Sequence, residues 1–573
     1  MSDALAGPLA AVGVNFSFTS ADLSVGSPPI FTGVSGELPQ FGGGGPQPQG
    51  PAPLLRSSDS TTVADDIGDS SNRSGGAVIT RDGPVGGDVD PPPAPGNANL
   101  HFQVKSVTFN TDHGTIASDP FLDDPNNPNT MTYTSYASQH WLDANNDGTA
   151  DAPPQGATVA PSGDHRWPAM TIVGQPLKVN EVVFRVWSDD PNLPWPPLDQ
   201  ARVKGYVSGN DVPANMVLTN DDPMVSIGFD QGNELITFHT LSSHATVFDH
   251  VAKIYDAGHS TDLRIDWKVI IPNDFTYDGG TSKNVFYVTW KDNTLPNHGN
   301  DWARMLFHSV VDISTRGAAG KTAGSSEQDV FAGVWGMFTG RDVYKVNGPL
   351  ADQGAALAYY RDYRTVNDVT ATLLCFTDGR CYAWTAMLID CARAQGIWSP
   401  ADAQQNNVTE IRLSDELRAP DNATNDLGWS AFLVSAWTFA APPQGFAYPY
   451  NLMPVDRTTF FGAHQYNWRT PPAPQVDQAA AGNLPAQSNP KPQSLFDNHI
   501  IVRYGEDWYD PSFGVKYAAF PSLPDNFAAT AVVGYARDNP NLLPNDPNVA
   551  EFSQVIPRNM TPNQAFKIIY RSY

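Results

Sequence analysis

Between residues 100 and 295 apolar side chains recur at every second position, a period that a pleated strand can bury on one face and a helix cannot. The segments 179–187, 235–239, 263–270 and 285–290 each read as a strand, rich in Val, Ile, Phe and Trp. Asp-Pro, Asn-Asp and Asp-Gly pairs fill the intervals, where the chain has to turn. No helical period of useful length interrupts them. An all-β, sandwich-like domain over residues 101–297 is the predicted solution, in the service of positioning or binding rather than catalysis.

The flanks have another texture. Residues 1–100 are dominated by Gly, Pro, Ser and Asp, with runs such as Gly42-Gly43-Gly44-Gly45 and Pro91-Pro92-Pro93. Such a composition cannot bury enough apolar area to offset the entropy of ordering. It predicts a disordered, flexible tail that docks on a partner through short segments. At 573 residues the chain is too long for one core, so a multidomain organisation follows: tail, β-domain, and a third unit over 298–573. With 60 acidic against 34 basic residues the formal charge is −26, which argues against nucleic acid or an anionic membrane as the main partner. No apolar run of about 18 residues exists, so no membrane span is expected. The first fourteen residues have no basic region and a short, proline-broken apolar stretch, which is no standard secretory signal. An intracellular protein, export by another route and a processed form all remain open.

After residue 300 the period becomes helical. Ser326-Glu327-Gln328-Asp329 resembles an acidic capping box, and Val330, Phe331, Val334, Trp335 and Phe338 share one face up to Gly340. A second helix begins at Cys381. Trp384, Leu388, Cys391 and Ala392 form its apolar stripe, and Gly396 stands where a C′ glycine belongs. Residues 398–497 are long, irregular and aromatic-rich, an insertion expected to wall a cleft.

The three cysteines, at 375, 381 and 391, make no disulfide framework, and Cys375 and Cys391 read as packing residues. Cys381 is different, because Asp378-Gly379-Arg380 delivers it to the first turn of a helix. Free N–H groups and the helix dipole there favour a thiolate, and the cysteine's own N–H is free to face an oxyanion. His499 opens a predicted strand from Asn498 to Tyr504, and Asp510 closes the strand that returns from it. If Gly505 and Glu506 are the only turn residues, Tyr504 pairs with Asp507 and Asp510 falls one diagonal step from His499 on the same face. A three-residue turn without a bulge would put Asp510 on the other face. Cys381, His499 and Asp510 are thus the candidate nucleophile, base and orienting acid. Trp335 and Gln353 are upstream candidates for a second oxyanion donor, and packing or surface roles are open to both.

Gly-Arg-Cys at 379–381 with Ala-x-Gly-Ile ending the helix, then His-Ile-Ile-Val at 499–502 and Trp-Tyr-Asp-Pro-Ser at 508–512, resembles the transglutaminase-like superfamily. The resemblance covers about 300–400 and 490–520, and departs from a compact member by the insertion at 398–497. It implies a C-terminal α+β, papain-like domain. The family's cysteine, histidine and aspartate map to Cys381, His499 and Asp510, with no cofactor required for catalysis. The expected function is thiol-dependent acyl transfer, or hydrolysis of an amide or peptide bond, on a protein or peptide substrate. The competing expectation is a catalytically silent transglutaminase-like scaffold in a structural or binding protein.

Asp143, Asn145, Asp147 and Asp151 have the 1, 3, 5, 9 spacing of a calcium loop, with Gly148 at position 6. Pro154 replaces the bidentate acid at position 12. A structural calcium with its last ligand from elsewhere, or a solvated Asp/Asn turn, both fit.

Overall fold

The computed structural model describes most of residues 100–293, 306–397 and 486–517, with shorter strands elsewhere between 408 and 571. The predicted tail and most of the predicted insertion lie outside the described residues. The described part is mostly β-sheet, with four α-helices.

Its first half is all β. Ten strands form one sheet, in the order 276–284, 263–270, 202–208, 217–220, 235–247, 176–188, 100–109, 141–142 and 165–166, with 227–230 also paired to 235–247. Neighbouring strands are antiparallel. Strand Leu100–Phe109 shows why: Leu100, Phe102 and Val104 are buried while the residues between them are half-buried. The distant strands of this sheet come together face to face. Phe102 packs on Tyr277 with ring centres 5.3 Å apart, and Phe184 meets Trp267 edge-on at 6.0 Å. Gly279 makes the approach possible, since a Cβ there would lie 2.8 Å from the Phe184 ring. The sheet therefore folds over and buries its own apolar face.

The helices are α1 (His308–Ala318), α2 (Glu327–Gly340), α3 (Thr370–Phe376) and α4 (Cys381–Ala394). Ser326 caps α2 by accepting the Asp329 N–H at 3.1 Å, as its sequence predicts. The end of α4 is a Schellman motif: Gly396 takes φ +69, its N–H donates to Arg393 O, and the Ile397 N–H donates to Ala392 O. α1 and α2 cross where Gly317 and Gly333 meet; a Cβ on Gly333 would lie 2.4 Å from the Gly317 carbonyl oxygen.

The boundary predicted at residue 297 falls among residues outside the described set, but its flanks are joined by one continuous apolar core. α1 sits at the join. The Tyr287 hydroxyl lies 2.9 Å from His308 Nε2 and donates to Asp312, whose carboxylate also takes Lys253 and Arg316 at 2.8 Å each. At the end of α4, Gln395 accepts the Trp290 N–H and donates to Ser314 Oγ.

Two buried histidines, His140 in the β-half and His308 at the start of α1, bear on acid stability. Burial holds the His308 pKa down to about 3, with the pull of Asp312 opposing it, and burial and then the charge of His165 hold His140 to about 3. His140 Nδ1 accepts the Phe109 N–H, a bond that protonation would break. Both folded pKa values lie below the unfolded value, so this stability is whole above about pH 6.5 and is lost as pH falls from there toward 3. We predict a loss of about 2 kcal/mol per histidine by pH 5. Urea titrations at stepped pH test it, and a curve flat between pH values of roughly 7 and 4.5 would sink it.

Candidate active site

Cys381 is placed by a short chain of local devices. α3 ends at Thr377 in the left-handed region, φ +56, and Asp378-Gly379 then pairs in parallel with Ala358-Tyr359. Gly379 is tight against its surroundings: a Cβ there would lie 3.0 Å from both the Ala383 Cβ and a Leu373 methyl. Arg380 occupies the N-cap position in extended geometry, so Cys381 is the first residue of α4. Its backbone N–H, like the others of a first helical turn, has no partner within the helix. α4 is buried on nearly all sides, and Thr385 Oγ1 donates to Ile500 O at 3.2 Å, docking the helix on the histidine strand.

That strand, Asn498–Tyr504, is the middle of a five-stranded antiparallel sheet ordered 515–517, 507–510, 498–504, 408–413 and 566–571. The hairpin after it has two turn residues: Tyr504 pairs with Asp507, and Gly505 takes φ +61. This is the register that sets Asp510 diagonally across from His499, and His499 Nε2–H donates to Asp510 Oδ2 at 2.7 Å. Asp510 Oδ1 accepts the Ser512 N–H at 3.1 Å. The turn after Asp510 closes through Gly514, whose φ of +68 suits glycine and whose Cβ, if present, would lie 2.7 Å from Phe338 O.

The second ring nitrogen, His499 Nδ1, makes no hydrogen bond of acceptable geometry, yet the Cys381 sulfur is close enough to act on the ring. A loosely aligned nucleophile–base pair is common before substrate binds. Burial, the largest influence on His499, lowers its pKa. The Asp510 carboxylate and then Cys381 outweigh burial, and the pKa is raised to about 10. The direction favours an imidazolium between a carboxylate and a sulfur. Burial raises the Cys375 thiol to about 11 and pushes that of Cys391 well above its usual value.

The site is enclosed: His499 and Asp510 are 0% exposed and Cys381 is 7% exposed, so Cys381 is the one residue of the three with any solvent contact. Phe496, Phe513 and Phe527 pack around the imidazole at 4.6, 5.9 and 6.4 Å. A turn at Ala486–Asn489 ties the cysteine and aspartate sides together. Tyr359 N–H donates to Gln487 O, Gln487 N–H donates to Ser512 O, and Gln487 Nε2 donates to Phe338 O and Pro511 O. Neither this turn nor the ring of phenylalanines was legible in the sequence, since both come from segments without a periodic pattern.

The remaining candidates lie on other elements. Trp335 stacks on Phe338 at 6.2 Å and meets Tyr509 edge-on at 5.0 Å, packing α2 against the sheet. Gln353 lies on strand Asp352–Ala356. In the predicted calcium loop, Asp143 accepts the N–H groups of Asp147 and Gly148, Asn145 accepts that of Asp147, and Asp147 accepts that of Thr149. Asp151 lies outside the described residues. Among the described residues no group of three or more His, Cys, Asp or Glu side chains could hold a metal ion, and none of the helices is long and apolar enough to cross a membrane. No family model matches the chain, and no curated protein matches it.

Proposed function

We propose that the protein carries out thiol-dependent acyl chemistry on a protein or peptide, with Cys381 as nucleophile, His499 as base and acid, and Asp510 as the group that orients His499. The observation that carries the reading is the 2.7 Å bond between two fully buried side chains, His499 and Asp510, with Cys381 beside the same imidazole at the start of α4. A thiolate paired with an imidazolium is a strong nucleophile near neutral pH. The sulfur adds to a carboxamide or peptide carbonyl, and the Cys381 N–H faces the oxyanion. The imidazolium gives its proton to the leaving amine, the C–N bond breaks and a thioester remains. Water or a primary amine then adds to the thioester, His499 takes its proton, and the sulfur leaves. Asp510 keeps the ring in the required tautomer throughout.

The motif resemblance to the transglutaminase-like superfamily supports the same roles. Four helices beside a five-stranded antiparallel sheet suit a papain-like α+β unit, and the folded-over sheet suits a sandwich-like domain joined to it. Hydrolysis is the preferred net reaction, because transfer to an amine requires a path that excludes water. The enclosure of His499 and Cys381 favours a second reading, a silent scaffold. Intact-mass analysis of candidate peptides with an added primary amine separates these outcomes. Peptide cleavage or a gain of water at an amide means hydrolysis, and an amine adduct means transfer. Unchanged masses together with no labelling of Cys381 by a small electrophile would leave the scaffold.

A further inference from the structure

Asp510 serves two side-chain donors with one oxygen. His499 Nε2–H reaches Oδ2 at 2.7 Å, and the Tyr517 hydroxyl donates to the same Oδ2 at 3.4 Å. Tyr517 lies on the short strand Val515–Tyr517, paired with Trp508 of the aspartate strand, and is 3% exposed. Asp510 acts on the phenol as well as on the imidazole. On the imidazole the other titratable group is Cys381; the rings packed on it, from Phe496, Phe513 and Phe527, carry no charge. Phe527 also packs on Tyr517. Lys516 and Asp507 pair with each other at 2.6 Å, and Lys516 alternates to the opposite face from Tyr517.

We propose that Tyr517 is a positioning residue that tunes the His499–Asp510 bond by competing for Oδ2. A carboxylate oxygen that already accepts one hydrogen bond offers less negative charge to a second donor. Without that competition the imidazolium would be held more tightly and would be a poorer proton donor to the leaving amine. The strand that carries Tyr517 thus adjusts acid–base strength at the site without touching the reacting atoms. This inference rests on the thiol-acyl reading of Cys381, His499 and Asp510.

The test is the pH dependence of Cys381 alkylation by iodoacetamide, followed by peptide mass spectrometry on the full chain. Wild type, Tyr517→Phe, His499→Gln and protein carrying 3-fluorotyrosine at position 517 are compared. In wild type two inflections are expected, a lower one for thiolate formation and an upper one for loss of the imidazolium proton; the His499→Gln profile has a single thiol titration. Tyr517→Phe removes the competing donor, and the upper inflection moves to higher pH by roughly 0.5. Fluorotyrosine keeps the ring and its packing but donates more strongly, so the upper inflection moves to lower pH. A merely structural role would not give opposite shifts. If wild type shows both inflections and neither substitution at 517 moves the upper one, the role of Tyr517 is overturned and the site reading stands. If His499→Gln leaves the wild-type profile unaltered, the site reading itself falls and this inference falls with it.

Discussion

Cys381→Ala is expected to lower kcat/KM for amide turnover by at least about 10³-fold, with folding stability changed by less than about 1 kcal/mol. The two parts follow from different links in the chain from sequence to function. Cys381 is the first residue of α4 and alone of the three has solvent contact, so its truncation removes one sulfur from the rim of the core and opens no internal cavity. In the proposed chemistry no other thiol can replace it, because Cys391 is fully buried and burial keeps Cys375 protonated up to about pH 11. Asp510→Asn is the companion variant. It would keep the shape of the site but replace the carboxylate that receives His499 Nε2–H, releasing the wrong tautomer, with an expected loss of about 10²- to 10⁴-fold. Turnover rates and equilibrium unfolding of the same preparations check both statements. Turnover within a few-fold of wild type for Cys381→Ala would end the nucleophile assignment.

The largest effect on stability is expected at Trp384, where alanine should cost about 3–5 kcal/mol. The indole is fully buried in the first turn of α4, meets Phe338 edge-on at 6.2 Å and donates its N–H to Ala358 O at 3.3 Å. The variant would empty a large apolar volume and remove that hydrogen bond at once. Ala358 is also the residue that pairs with Asp378, two positions before Arg380. Loss of the indole should therefore loosen the turn that presents Cys381, and activity should fall even in conditions where the protein stays folded. Urea unfolding gives the first quantity, and turnover well below the denaturation midpoint gives the second. A stability loss under about 1 kcal/mol would show that neighbours collapse into the space.

Both predictions depend on features of different legibility. The strands of the first half were readable because their alternation survives in isolation: Leu263–Ile270 has the predicted bounds, and the segment 179–187 lies inside Pro176–Ser188. α2 and α4 were readable for the same reason, with Ser326 and Gly396 marking ends where local hydrogen bonds are settled by neighbours in the chain. The relation of His499 to Asp510 was readable only as a condition on the turn length; the observed pairing of Tyr504 with Asp507 meets the condition, and a two-residue hairpin then converts sequence spacing into a sheet register.

Contacts between segments far apart in the chain were not readable in this way. Nothing in the strand pattern says that Phe102 should meet Tyr277 or that Phe184 should meet Trp267, since the folding-over of a sheet depends on twist and on the room left at Gly279. Nothing around residue 297 shows that α1 would bind the β-half through Tyr287, Lys253 and Asp312. Tyr517, Gln487 and Phe527 reach the site from segments with no motif of their own.

The sequence by itself therefore determined the local parts: the periods, the caps, and which cysteine opens a helix. Tertiary structure alone decided that Cys381 stands beside His499, that the imidazole is walled by phenylalanines, and that Tyr517 shares the Asp510 oxygen. The physical reason is one of range. Backbone hydrogen bonding and side-chain period act over a few residues and leave their mark in the chain, whereas burial and charge act through space between residues whose spacing in sequence is arbitrary.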